Sequence, residues 1–205
     1  MNISIIGTGN MAKGIASRVV AGKHTVELHA RDTEKGEALA SELGAGTSVV
    51  AIGEPLGDIV VLAAPYGEVE NIAKAYDGFK GKTVVDITNP VDFNTFQLIP
   101  AAGTSGAEEI AKLVPEAHVV KAFNTTFAGT LLGGEAGGRP LDVFVAGDEQ
   151  SAKDAVSTLV RDGGLRPIDV GQLSNARHLE GFQLLHMAAQ EQLGTSWMSA
   201  ISIVN

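Results

Sequence analysis

The sequence predicts an α/β fold: a doubly wound, mostly parallel sheet finished by a short C-terminal helical extension. Two observations carry that expectation. Short β-rich runs alternate with helical stretches along the whole chain, the pattern of right-handed βαβ crossovers. Most of these runs are continuous in Val, Ile and Leu, as in strands buried on both faces of a parallel sheet. The strand candidates are Ile3–Ile6, Thr25–His29, Ile59–Ala63, Thr83–Ile87, His118–Ala122, Leu141–Ala146 and Arg166–Val170, with a weaker one at Ser48–Ala51.

The helices follow from start and stop signals. Met11–Val20 follows a glycine loop and meets a stop at Gly22. Asp32 or Thr33 can cap a helix running to Leu43, which Gly44 ends. Gly67–Ala75 ends at Asp77-Gly78. Ser105-x-x-Glu108 reads as a capping box ahead of Ile110–Leu113, with Pro115 closing the segment. Asp148 is placed to cap a helix through Arg161, and Ser174 to cap a last long helix over Asn175–Leu193. Between them, Leu132–Arg139 reads as a flexible glycine-rich loop.

At 205 residues the chain is expected to form one domain over 1–205, with a core at 1–146 and an extension at 147–205 packed on it. A chain of this size can bury enough surface to need no disulfide or metal staple. It carries 15 Lys and Arg against 24 Asp and Glu, a net charge of −9, and no clustered basic face for a nucleic acid. The absence of cysteine excludes disulfide scaffolds, thiol catalysis and Cys-ligated zinc. The first residues resemble no signal peptide, and no apolar run approaches the length of a bilayer span. The expectation is a cytoplasmic protein without a membrane or nucleic-acid partner.

Gly7-Thr8-Gly9-Asn10-Met11-Ala12 is the most informative stretch. It is a GxGxxA motif between the first strand and the first helix. Gly7 permits a tight turn, Gly9 lets a pyrophosphate approach the backbone, and small Ala12 brings the helix close to the sheet. That context points to a dinucleotide-binding Rossmann fold. The end of the second strand chooses the dinucleotide. A site for NAD places an acidic residue there, but this chain has His29-Ala30-Arg31-Asp32, with Glu27 too early and Asp32 at the start of the next helix. Arg31 can fork onto a 2′-phosphate and Lys35 can reach the same anion, so NADP(H) is expected over NAD(H).

Three further loops fall at C-terminal strand ends, where open α/β sheets bind ligands. They offer Ala64 and Pro65 beside the ribose or nicotinamide, Asn89 as a polar contact, and Ala122 with Asn124. Asn-Pro and Asn-Thr mark ordinary turns as well. The five histidines show no metal-ligand spacing, and neither a catalytic residue nor a metal site is expected. Arg177, at the start of the last helix, suits either an anionic substrate or a capped surface helix. The apolar end Trp197–Val204 reads as core packing, a cover for the acceptor site, or a homodimer interface.

With these residues in place the chain resembles the coenzyme F420-dependent NADP oxidoreductases, including their bacterial dinucleotide-binding relatives. It is also similar to the reductase domain of the six-transmembrane epithelial antigen metalloreductases. The likeness runs through Ile5–Ala12, His29–Lys35, Val84–Pro90, Val119–Thr125 and Gly164–Glu180, the last being the most specific. The resemblance implies that Thr8 through Met11 hold the pyrophosphate and that Arg31 and Lys35 hold the 2′-phosphate. Ala30 stands where archaeal members tend to have serine, and Phe123-Asn124 is closer to the metalloreductase and bacterial relatives. In the metalloreductases a membrane domain would follow the last residues, so a free-standing unit is expected here. The implied activity is hydride transfer between NADP(H) and a small-molecule acceptor, with FMN, FAD or coenzyme F420 as co-substrate. An imine or hydroxy-acid reductase and a non-catalytic NADP(H) sensor are the rival readings.

Overall fold

The computed structural model describes residues 1–204. Eight strands form one sheet: β1 (Asn2–Ile6), β2 (Thr25–Ala30), β3 (Thr47–Ala51), β4 (Ile59–Leu62), β5 (Thr83–Asp86), β6 (His118–Lys121), β7 (Asp142–Gly147) and β8 (Arg166–Asp169). Their order is β8-β7-β6-β5-β4-β1-β2-β3. The first six are parallel in the order 3-2-1-4-5-6, β7 runs antiparallel to β6, and β8 is parallel to β7. This is the doubly wound Rossmann arrangement, mostly parallel as expected. All eight expected strands are present, including the weak one that became β3.

The continuous apolar runs have a direct reason. Ile3, Ile5, Ile59 and Val61 enter a core beneath α1 (Asn10–Ala21), α2 (Thr33–Leu43) and α6 (Gln150–Asp162). Their neighbours Ile6, Val60 and Leu62 enter the opposite core, under α3 (Val69–Ala75), α4 (Gly106–Leu113) and α7 (Ala176–Ala188). Both faces are covered, so neither half of the strand alternation can be polar.

Helix ends follow the expected chemistry in most places. The Asp32 carboxylate accepts the Lys35 N–H at 3.2 Å as the cap of α2. Ser105 Oγ accepts the Glu108 N–H at 3.2 Å and donates to the Glu108 carboxylate at 2.8 Å. Gly67–Ala75 is divided into a 3-10 turn at Tyr66–Glu68 and then α3.

Three expectations need correction. Glu149, not Asp148, caps α6, because the Asp148 carboxylate is taken by the Leu173 N–H at 3.0 Å. The last long helix is interrupted: a 3-10 turn at Leu173–Asn175 precedes α7, and α8 (Gln190–Leu193) follows after Ala189, with no side-chain cap from Ser174. Leu132–Arg139 is no loose loop. Its first two residues end α5 (Ala128–Gly133), and the rest forms a small hairpin pairing Glu135–Ala136 with Arg139–Pro140.

The C-terminal residues lie against the body. Asp142 accepts the Ile203 N–H at 2.7 Å and the Ser202 hydroxyl at 3.2 Å, and Ile201 packs on Phe144 and Leu179. Trp197 stands edge-on to Phe127 with half its surface exposed. No helix among the described residues is long and apolar enough to cross a membrane.

Candidate nucleotide site

The strand order reverses between β1 and β4, the switch point at which open sheets place their ligands. A cavity of about 470 Å³ opens at the C-terminal ends of β1, β2 and β4. It brings together eight of the expected residues: Gly7, Thr8, Gly9, Ala30, Arg31, Lys35, Ala64 and Pro65.

The glycine loop is built for a close approach. Gly7 has φ +127°, and a Cβ there would fall 2.3 Å from the Ala63 carbonyl oxygen, so only glycine fits. Its N–H donates to the His29 carbonyl at 3.1 Å, joining β1 to β2 at the cavity floor. Gly9 is different. Its φ of −81° suits any residue, and a Cβ would meet nothing within 4 Å. No side chain caps α1, and its first turn has no acidic residue. The space beside Gly9 therefore faces free N–H groups at a positive helix end, a cradle suited to phosphate. Ala12 is fully buried, which seats the helix against the sheet.

Arg31 and Lys35 stand at the mouth, 78% and 75% exposed. Arg31 Nη1 lies 3.2 Å from the Glu68 carboxylate, and Lys35 Nζ lies 3.2 Å from that of Asp32. The Asp32 carboxyl is held below the usual carboxylate range by the Lys35 N–H and ammonium.

The remaining expected residues lie outside this cavity. Asn10 opens α1 at the surface, and Met11 packs against the core. Asn89, Ala122 and Asn124 follow β5 and β6, further along the same sheet edge. Asn89 Nδ2 donates to the Asn124 carbonyl at 2.9 Å, and Asn124 Nδ2 donates to Asn89 Oδ1 at 3.1 Å and the Leu179 carbonyl at 3.2 Å. Asn124 thus ties the loop to α7. Phe123 before it holds φ +61° with its ring buried, a conformation costly for a bulky residue. Arg177 forks onto Glu108, with Nε 2.8 Å from the carboxylate, so it serves the surface pairing rather than an open anion site.

Several residues escaped the sequence reading. His29, Ile52, Glu68, Asn71 and Ile72 also line the cavity. His29 is fully buried, with Nε2 3.0 Å from Ser4 Oγ and Nδ1 3.0 Å from the Tyr76 hydroxyl. Burial pushes its imidazole below the ordinary value, partly offset by Glu27, the Ala51 carbonyl and Glu54. Beneath the β5 and β6 loops, Lys121 Nζ lies 2.8 Å from Asp86, 2.8 Å from Glu180 and 2.7 Å from the Thr88 carbonyl, all three charged side chains fully or almost fully buried. Glu180 also accepts the N–H groups of Gly106 and Ala107 at the start of α4. A signal existed: Asp86 and Lys121 are lone charges inside apolar strands, and they are register partners. Tyr66 donates to Glu109, and burial together with that carboxylate raises its phenol above the usual value.

The family described as NADP oxidoreductase, coenzyme F420-dependent, matches residues 2–90. The F420-dependent NADP reductase of Methanothermobacter thermautotrophicus is 30% identical over 200 residues, covering 88% of this chain and 85% of the relative. Metalloreductase STEAP3 of Rattus norvegicus is 31% identical over 183 residues, 89% of this chain. That stretch is 36% of the metalloreductase, so the chain spans about a third of its length. A crystal structure from Arthrobacter sp. FB24, proposed to be an F420-dependent NADP reductase, superposes with a TM-score of 0.86 at 27% identity over 99% of both chains.

Proposed function

The chain belongs to the coenzyme F420-dependent NADP oxidoreductase family and is an NADP-dependent oxidoreductase, and we propose that it passes hydride between NADP(H) and a flavin or deazaflavin ring. The observation that carries the nucleotide half is the open, uncapped start of α1 beside Gly9. The acceptor half is supported by relatives named as F420-dependent NADP reductases. FMN and FAD stand beside F420 as acceptors with the same ring chemistry.

In this reading the backbone from Gly7 through Met11 holds the pyrophosphate. Arg31 and Lys35, with Ala30 beneath them, receive the 2′-phosphate. Ala64 and Pro65 flank the ribose, and Asn89, Ala122 and Asn124 border the nicotinamide end. The dihydronicotinamide supplies hydrogen with its electron pair to the acceptor ring, whose remaining proton comes from solvent. The chain's own part is orientation: holding the two rings roughly 3–3.5 Å apart and excluding water. No side-chain acid or base is required. A cytoplasmic homodimer joined through the exposed apolar side chains of the C-terminal stretch, Trp197, Met198, Ile203 and Val204, completes the proposal.

Gly9→Val tests the nucleotide half. The backbone accepts valine and the space is empty, so the variant is expected to fold, at a cost of about 1 kcal/mol for valine at the helix N-cap. The side chain would occupy the pyrophosphate position and weaken NADPH binding by about 100-fold or more, ~3 kcal/mol. A folded variant with unchanged NADPH affinity would remove the cradle from the account.

A further inference from the structure

The 2′ end of the cleft carries two carboxylates as well as two cations. Lys35 is paired with Asp32 on the same helix start, a local contact that the cap of α2 imposes. The other pair spans the mouth. Arg31 follows β2, whereas Glu68 closes the 3-10 turn after β4, and their 3.2 Å contact joins opposite walls of the cavity. The Glu68 N–H donates to the Pro65 carbonyl at 2.9 Å, so its backbone is fixed to the same loop that offers Ala64 and Pro65. Nothing in the helix capping requires the Glu68 side chain: it makes no cap hydrogen bond to α3.

We propose that Glu68 is a specificity-determining residue, an internal counter-ion that competes with the 2′-phosphate of NADPH for Arg31. The proposal rests on the reading that Arg31 meets that phosphate. An incoming dianion must then draw Arg31 away from a carboxylate and settle near a second negative charge. NADH has no such anion at that position, and its ribose hydroxyls can donate to a carboxylate. Glu68 therefore narrows the preference for NADPH that Arg31 and Lys35 establish.

The test is equilibrium binding of NADPH and NADH to the wild-type protein, Glu68→Gln, Arg31→Ala and the double variant. Glu68→Gln keeps the size and polarity of a half-buried side chain that caps no helix, so folding is not at issue. It is expected to raise the NADPH-to-NADH affinity ratio roughly twofold to fivefold at low salt, the scale of a solvent-screened charge contact. The gain should shrink toward unity at about 1 M salt, where the screening length is about 3 Å. It should be clearly smaller when Arg31 is already alanine, where only the direct repulsion between the Glu68 carboxylate and the phosphate is left to relieve. A ratio unmoved by Glu68→Gln, or a gain equally large without Arg31, overturns the proposal. Loss of NADPH preference in Arg31→Ala together with an inert Glu68→Gln leaves the 2′-phosphate reading standing and removes only the competition. An Arg31→Ala variant with unchanged preference removes both.

Discussion

Replacing Lys121 by Met would remove the positive member of the buried cluster while keeping most of its volume. Asp86 and Glu180, 0% and 1% exposed, would then remain inside with no cation. Asp86 would keep the Thr88 N–H at 2.8 Å, and Glu180 would keep the N–H groups of Gly106 and Ala107. Those bonds do not neutralise charge. Removing one partner from a buried ion pair costs about 3–5 kcal/mol. The Thr88 carbonyl loses its ammonium donor as well, which keeps the expectation at the upper end of that range. Against a typical total of about 5–15 kcal/mol the variant is gravely weakened, with Tm lowered by about 8–20 °C. The assay is urea unfolding at pH 7, comparing midpoints at constant m. Adding Glu180→Gln to Lys121→Met should recover part of the loss, because one stranded charge is gone; the double-mutant cycle measures that coupling. A Lys121→Met protein within about 1 kcal/mol of wild type would refute the reasoning.

The remaining predictions concern pH and ligand linkage. Burial lowers the His29 imidazole, so between its folded and unfolded values the unfolded chain binds more protons. Stability from this group is full above about pH 6.5 and is lost as pH falls below it, by up to ~1.4 kcal/mol per pH unit. His186, also lowered by burial, adds in the same direction. Urea unfolding between pH 7.5 and 5 should show this slope, and His29→Gln should flatten it; an identical slope in the variant contradicts the assignment. NADPH should raise the wild-type Tm by mass action and leave that of Gly9→Val unmoved, which separates lost binding from lost folding.

The legible parts of this fold were those written locally. Val60, Val84 and Val119 sit in runs that must be buried on both sides, and each became a strand. Gly7 declared the loop because its φ of +127° answers a backbone need, and Gly9 because the space beside it is left open for a ligand. The segment that became α5 gave no such signal: Ala128–Gly133 has two glycines and no capping side chain. Close packing holds it instead, with Leu131 and Ala128 against Gly14 of α1. Asp148 and Glu149 are adjacent possible caps, and only the distant Leu173 N–H decides between them. The same holds at the site. Arg31 and Lys35 could be read from the end of β2, but Glu68, Asn71 and Ile72 reach the cavity from the 3-10 turn after β4 and from α3, which line its other side. Glu180 meets Lys121 from 59 residues away, a pairing no local pattern records.

The most direct test of the central claim is anaerobic NADPH oxidation by the purified protein, followed at 340 nm with F420, FMN, FAD or no acceptor. The account predicts oxidation with at least one of the three rings and none without an acceptor. Tight NADPH binding with no turnover on any of them would contradict the proposed hydride transfer to a flavin or deazaflavin.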